Sequence, residues 1–287
     1  SRTATCAHAA ASASRRTEPL PQNPAADPFD ADPFADDLFT GDPIDAGPVT
    51  PVSQGPDQTD RVIIAAAEEL GTGCPCDMVV VDDATGELTA FALESVAGHE
   101  DAVVLSWASS LTLAAMLQER FAAQIEAGRL RVPAGPAAIP LEQAAAEVEG
   151  RMLVLMRLPK AVHALEDRAR RLAEAVRVSG QSGLEIVAGG RVKHMTRAQN
   201  DVLATVFGEV RASRGIGKSR ALVATELREE APAPAAAEST ARLTVRGQQR
   251  DLALRGIGAV FGGAGADAGS QLLLSALDPA VAAGELG

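Results

Sequence analysis

The rhythm of apolar and polar positions changes at about residue 60. Before it, Pro, Asp, Ala and Ser dominate. After it, unbroken apolar runs alternate with stretches whose apolar residues recur every three or four positions. The runs lie at residues 78–82, 102–105 and 152–156, and 184–188 (Leu-Glu-Ile-Val-Ala) is a fourth strand candidate; continuous apolar runs of this length read as strands buried on both faces. Between them the spacing predicts helices. Residues 60–70 place Ile63, Ala67 and Leu70 on one face, with Gly71 past the end. Residues 110–127 carry Leu113, Leu117, Phe121 and Ile125 every fourth position and stop at Gly128. Leu158-Pro159-Lys160 turns into a third helix, with Pro159 set for its first turn and Val162, Leu165, Ala169, Leu172 and Val176 forming one buried stripe. Arg168, Arg170, Arg171 and Arg177 fall off that stripe and are expected to face water or a partner. Thr196-Arg197-Ala198-Gln199 is a capping box opening a fourth helix, which buries Val202, Leu203, Val206 and Phe207 and is closed by Gly208.

Buried strands alternating with amphipathic helices imply parallel crossovers. Residues 59–228 are therefore expected to form an α/β domain with a doubly wound, mostly parallel sheet. Residues 210–213 and 221–225 would close one sheet edge as a hairpin-like pair. Residues 1–58 have too little apolar surface to offset the entropy of ordering and are expected to be a disordered acidic tail. Residues 229–241, rich in Ala and Pro, read as a linker. The stretch 242–287 holds two short strand-like pieces, a Gly-rich turn and a short helix, and reads as the start of an incomplete second domain.

Charge sharpens this division. The net charge of the chain is −12, yet residues 1–60 hold 10 acids against 3 bases while residues 151–230 hold 15 bases against 9 acids. A basic middle points to an anionic partner. With no Tyr and one Trp, the chain lacks the aromatic platforms of a single-strand stacking surface. No apolar run approaches the ~20 residues of a membrane span. Three cysteines, Cys6, Cys74 and Cys76, make no disulfide framework, which suits a reducing cytoplasm. The tail repeats Asp-Pro-Phe at 27–29 and 32–34; such tripeptides can dock adaptor domains, and an acidic solubilising tail is the plainer interpretation.

Three motifs invite chemistry. Gly215-Ile216-Gly217-Lys218-Ser219 resembles a phosphate-binding loop, but that loop needs a Gly five positions before its second Gly, where Ala212 stands, and a helix after it. A turn between two strands, projecting Arg211, Arg214, Lys218 and Arg220, fits better. Gly263-Ala264-Gly265-Ala266-Asp267-Ala268 matches a loose dinucleotide fingerprint without its preceding strand. His99, His163 and His194 have no carboxylate or Cys at ligand spacing, and no nucleophilic set is visible.

Four stretches together resemble a known family: 78–88 (MVVVDDATGEL), 155–160 (LMRLPK) with Leu165-Glu166, 186–194 (IVAGGRVKH), and 260–274, which holds DAGSQLLL. In order and spacing they are similar to the bacterial ribosomal-RNA guanine-N2 methyltransferases of the RsmC/RlmG type. Residues 207–220 fall where that family has a basic turn. The resemblance implies a degenerate methyltransferase-like N-terminal domain without a cofactor site, which supports folding and RNA binding. It also implies a C-terminal domain that binds S-adenosylmethionine and methylates the exocyclic amine of guanine. That amine is a weak nucleophile, so the catalytic domain must unstack the base and orient it toward the methyl sulfonium. Residues 261–277 would lead into that domain. Its acidic, Gly-rich cofactor loop and Asn-Pro-Pro-aromatic motif do not occur in these 287 residues, so this chain alone is expected to be inactive and not to bind the cofactor.

The resemblance further implies ribosomal RNA or a ribosomal subunit as partner, no membrane, and a cytoplasmic monomer. The candidate RNA-binding residues are Lys160, Arg191, Lys193, Arg211, Arg214, Lys218 and Arg220; phosphate contacts from such bases fix register without reading sequence. No catalytic, cofactor-binding or metal-binding residue is assigned. A non-catalytic α/β RNA-binding or scaffold module is the alternative, and an ATPase the third.

Overall fold

Seven strands build one sheet in the order β3-β2-β1-β4-β5-β7-β6, in which only β7 runs against its neighbours. The strands are β1 (Cys76–Val81), β2 (Val104–Trp107), β3 (Leu130–Arg131), β4 (Arg151–Arg157), β5 (Gly183–Arg191), β6 (Phe207–Ala212) and β7 (Ser219–Leu227). The helices are α1 (Gln58–Leu70), α2 (Glu87–Ser95), α3 (Leu111–Arg120), α4 (Ala122–Glu126), α5 (Leu141–Ala145), α6 (Val162–Ser179) and α7 (Arg197–Ala204). A separate two-stranded sheet pairs β8 (Ala237–Val245) with β9 (Gln248–Gly256). This computed structural model describes residues 55–71, 76–99, 102–134, 139–245, 248–258, 264–265 and 267–273. All lie in the unit Val52–Gly287. Cys6, Cys74, the Asp-Pro-Phe repeat and most of the expected tail lie outside the described residues.

The apolar strands are buried on both faces, as their sequence requires. Val79, Val154, Ile186 and Leu222 join a core covered by α5, α6 and α7, whereas Val80, Leu155, Val187 and Val223 join a second core under α1, α2 and α3. Leu165, Ala169, Leu172 and Val176 on α6 are all buried, as the stripe predicted. The α1 helix starts at Gln58, two residues ahead of the sequence expectation, because Asp57 and Asp60 form a reciprocal capping box. The box predicted at Thr196 and Gln199 is also formed.

Other expectations are corrected. Pro159 is not in the first turn of α6: the Leu158 N–H bonds to the Gly189 carbonyl at 2.7 Å, prolonging the β4–β5 ladder, and the helix starts only at Val162. Gly208 does not close α7; the helix stops at Ala204, and Gly208 lies within β6, where Phe207 already faces Leu227. The helix expected over 110–127 is two, meeting at Phe121, whose ring turns into the core at 5% exposure while α4 buries none of its residues. β8 begins at Ala237, inside the stretch expected as linker, and the two short strand-like pieces are nine-residue partners.

One glycine sets how closely α1 lies on the sheet. A Cβ at Gly189 would stand 2.4 Å from Ile63 Cγ1 and 2.9 Å from its Cδ1, and Ile63 is fully buried. Replacing Gly189 with Ala therefore overpacks the interface, at a cost of about 1–3 kcal/mol. Urea unfolding should show a lower midpoint for Gly189→Ala, partly restored by adding Ile63→Val; an unchanged midpoint would mean that α1 does not pack this tightly.

Candidate nucleic-acid interface

Ligands of open α/β sheets bind outside the carboxyl ends of the strands. Here that edge is formed by the ends of β1, β2, β4, β5 and β6 and, because β7 is antiparallel, by the start of β7. Its two halves differ in chemistry.

The half made by β2, β1 and β4 is occupied by its own ion pairs. The Asp83 side chain, fully buried, accepts from the backbone N–H groups of Gly86 at 2.9 Å and Thr89 at 2.8 Å, so a carboxylate of the chain itself fills the N-terminus of α2. Arg120 lies over the same turn. It donates to the Thr85 carbonyl and, at 2.8 Å, to Glu87, and a Cβ at Gly86 would stand 2.5 Å from its Nη1. Gly86 has φ +78°, a conformation that favours glycine. Asp82 also has positive φ, 53°; it accepts from the Ser109 N–H at 2.6 Å and hydroxyl at 2.8 Å, and pairs with Arg168 on α6.

Beside them, Arg157 at the end of β4 donates to Asp60 at 2.6 and 3.0 Å and pairs with Asp57 at 2.8 Å. The Thr85 hydroxyl donates to Asp60 at 3.1 Å, joining this triad to the β1–α2 turn. Burial pushes the Asp60 carboxyl up, and the Arg157 guanidinium offsets this only in part. Burial also acts to raise Asp57, but the Asp60 N–H and Arg157 outweigh it and hold that carboxyl below its ordinary value.

The β5-β7-β6 half is basic. Arg191 ends β5, and Lys193 follows in a 3₁₀ turn, Val192–His194, whose Val192 N–H bonds to the Lys218 carbonyl at 2.9 Å. Arg211 lies near the end of β6, Arg214 and Lys218 in the β6–β7 turn, and Arg220 at the start of β7. Lys160 sits after β4. The structure thus brings all of the predicted residues to one edge. All seven are exposed, and among the described residues none of them takes part in an ion pair. The turn is a hairpin, not a phosphate loop: Ile216 and Ser219 exchange backbone hydrogen bonds of 3.0 and 3.1 Å around Gly217 and Lys218, Gly217 has φ +57°, and a strand follows. The Lys218 N–H is tied to the Gln58 side chain at 3.0 Å, and the Ser219 and Thr59 hydroxyls meet at 3.1 Å, which fixes the hairpin on α1.

Of the α6 arginines expected to face water or a partner, Arg177 is exposed, whereas Arg168, Arg170 and Arg171 are only partly so and are engaged within the domain. Arg168 pairs with Asp82, Arg170 with Glu166, Arg171 with Glu142 at 2.7 Å and Asp167 at 2.8 Å, and Arg177 with Glu174. Each is already neutralised. The three histidines are exposed and apart, and among the described residues no group of His, Cys, Asp and Glu could hold a metal. Sequence reasoning missed the Asp57–Arg157–Asp60 triad and the Asp83 cap. The signals were present: Asp-x-x-Asp before an apolar helical pattern, Asp-Asp-x-Thr-Gly after an apolar run, and an Arg ending another run.

The sheet, its crossovers and its antiparallel edge define a doubly wound, mostly parallel α/β fold. The RLMG N-terminal domain family matches residues 52–228, and the chain belongs to that family. Among its curated relatives, "Ribosomal RNA large subunit methyltransferase G" of Pseudomonas aeruginosa (strain UCBPP-PA14) is 30% identical over 222 residues, which cover 76% of this chain and 52% of that protein. The protein of the same name from Pseudomonas syringae pv. syringae is 30% identical over 172 residues, 59% of this chain and 41% of its own length. The chain thus spans about half the length of the curated relatives it matches. Among solved structures, the T. thermophilus 16S rRNA methyltransferase RsmC in complex with AdoMet and guanosine aligns at TM-score 0.49 and 17% identity, covering 78% of this chain and 52% of that one.

Proposed function

We propose that this chain is the N-terminal part of an S-adenosylmethionine-dependent ribosomal-RNA (guanine-N2) methyltransferase. Residues 59–228 hold RNA and support folding, residues 229–241, into which β8 reaches from Ala237, join, and residues 242–287 lead into the catalytic domain. The chain's relatives, ribosomal RNA large subunit methyltransferases, supply the reaction class. The observation that carries the role of this part is the row of exposed bases, Lys160, Arg191, Lys193, Arg211, Arg214, Lys218 and Arg220, on one sheet edge, without carboxylate partners among the described residues. Phosphate contacts of this kind position a nucleic acid without reading its sequence. The reading places the protein in the cytoplasm with ribosomal RNA or a subunit as partner, and as a monomer.

S-adenosylmethionine does not fit the carboxyl edge of this domain. A cofactor there would need open backbone donors and free space at the β1–α2 turn. Asp83 takes those donors and Arg120 takes that space. No chemical step is therefore assigned to these residues, and the cofactor belongs with the catalytic domain.

The test is RNA binding by the 287-residue chain at rising salt. About four phosphate contacts on a single strand give a log–log slope near −3, because each contact releases about 0.7 counterion. A flat salt response would remove the basic edge as the contact.

A further inference from the structure

We propose that the β6–β7 hairpin straddles a groove of base-paired RNA, contacting phosphates of both strands. The inference rests on the RNA reading above and names the form of RNA that this edge takes. Its ground is the sheet register. Directly paired residues on neighbouring strands point to the same face, and successive residues to opposite faces. Arg211 on β6 is paired with Val223, which belongs to the core under α1. Arg191 on β5 is paired with Ser219, whose hydroxyl meets Thr59 of α1. These two arginines therefore leave the sheet on the α1 face. Arg220 is paired with Gly190, over which Leu158 packs, and Arg220 precedes Ala221 of the α1-side core. It leaves on the face of α6 and α7. Arg214 and Lys218 occupy the tip between them.

A ribbon with cations on both faces and at its tip is poorly matched to one phosphate row, because half of its charge points away. It suits two rows with the ribbon between or across them. Recognition of single strands uses a basic groove together with aromatic side chains on which bases stack. Among the described residues no aromatic side chain is exposed: Trp107 is at 7%, Phe121 at 5%, Phe207 at 0%, and Phe91 is half-buried on α2, away from this edge. Helical RNA is recognised through phosphates and sugar hydroxyls, with the bases left stacked, which asks for the residues present and none that are missing.

The experiment measures fluorescence anisotropy of the 287-residue chain with two labelled probes in one buffer. The first is an RNA duplex of about 16 base pairs, the span of a typical duplex-binding domain. The second is one of its strands, chosen not to pair with itself. The duplex is expected to bind at least about fivefold tighter, with a salt slope per contact of about 0.9 against about 0.7 for the strand, taking the DNA-duplex value for its charge density. Arg191→Gln with Arg211→Gln strips the α1 face, and Arg220→Gln strips the other. Both variants should weaken duplex binding, lowering its slope by about 1.8 and about 0.9, with urea midpoints unchanged. Equal or tighter binding of the single strand, or a duplex affinity indifferent to one face, would overturn the straddling geometry while leaving RNA binding intact. Failure to bind either probe would sink the RNA reading itself.

Discussion

Asp60→Ala is expected to cost the fold about 3 kcal/mol, the low end of what breaking a buried ion pair costs. Asp60 is fully buried and accepts from three sources: the Arg157 guanidinium, the Asp57 N–H and the Thr85 hydroxyl. Removing it leaves a partly buried guanidinium on Asp57 alone and takes away the acceptor of the Asp57 N–H, one half of the α1 capping box. Domains of this size hold roughly 5–15 kcal/mol in all, so the urea midpoint should fall by about 1 M or more. Asp60→Asn, which keeps the shape and loses the charge, should fall between.

The acid behaviour separates the two carboxylates. Asp57 has a depressed carboxyl, so its contribution is fully present above its unfolded pKa and is lost as pH falls through the folded one. Asp60 has a raised carboxyl, so the folded state takes up its proton first and that site loses stability as pH rises through the window between its two pKa values. Asp57→Asn, which still caps the helix, should therefore flatten the acid limb of stability against pH, and an unaltered limb would show that the Asp57 charge does not matter.

The second large effect is on binding. Replacing Lys160, Arg191, Lys193, Arg211, Arg214, Lys218 and Arg220 with Gln should lower RNA affinity at about 50 mM salt by about three orders of magnitude if four of them contact phosphate. The wild-type chain should lose about fiftyfold between about 50 and 200 mM salt, and the variant almost nothing. Because these side chains are exposed and make no ion pair among the described residues, the variant should fold with an unchanged urea midpoint. Retention of wild-type affinity would move the RNA contact elsewhere on the protein.

Much of this was legible in the sequence. The four strand candidates became β1, β2, β4 and β5, because a strand buried on both faces is apolar at nearly every position; the exceptions are satisfied inside the domain, Glu185 by Arg151 and Ser106 by Thr89. The hairpin at 213–218 followed from Gly217 and the β-leaning residues after Lys218. Other parts were hidden for physical reasons. Within α2, Leu88, Thr89 and Ala92 are buried and the Thr89 hydroxyl is satisfied by Ser106 at 3.0 Å, so no clean apolar stripe marks the helix. β3 is two residues and α5 five, too short for any period to show. Arg168 and Arg171 were misjudged because pattern gives the face of a helix but not its neighbours: the partners Asp82 and Glu142 lie 86 and 29 positions away. The basic edge was listable residue by residue, yet that seven bases from four segments share one end of the sheet required the strand order, with β7 reversed beside β5.

The central claim is the proposal that the β1–α2 end of this α/β sheet, filled by Asp83 and Arg120, takes no S-adenosylmethionine and that the domain offers RNA its basic edge instead. Calorimetric titration of S-adenosylmethionine into the 287-residue chain tests it most directly. The expected result is no heat of binding at any cofactor concentration up to about 1 mM, a range in which weaker binding than about −4 kcal/mol goes undetected. A saturable signal in the micromolar range would show an open cofactor site and contradict the account.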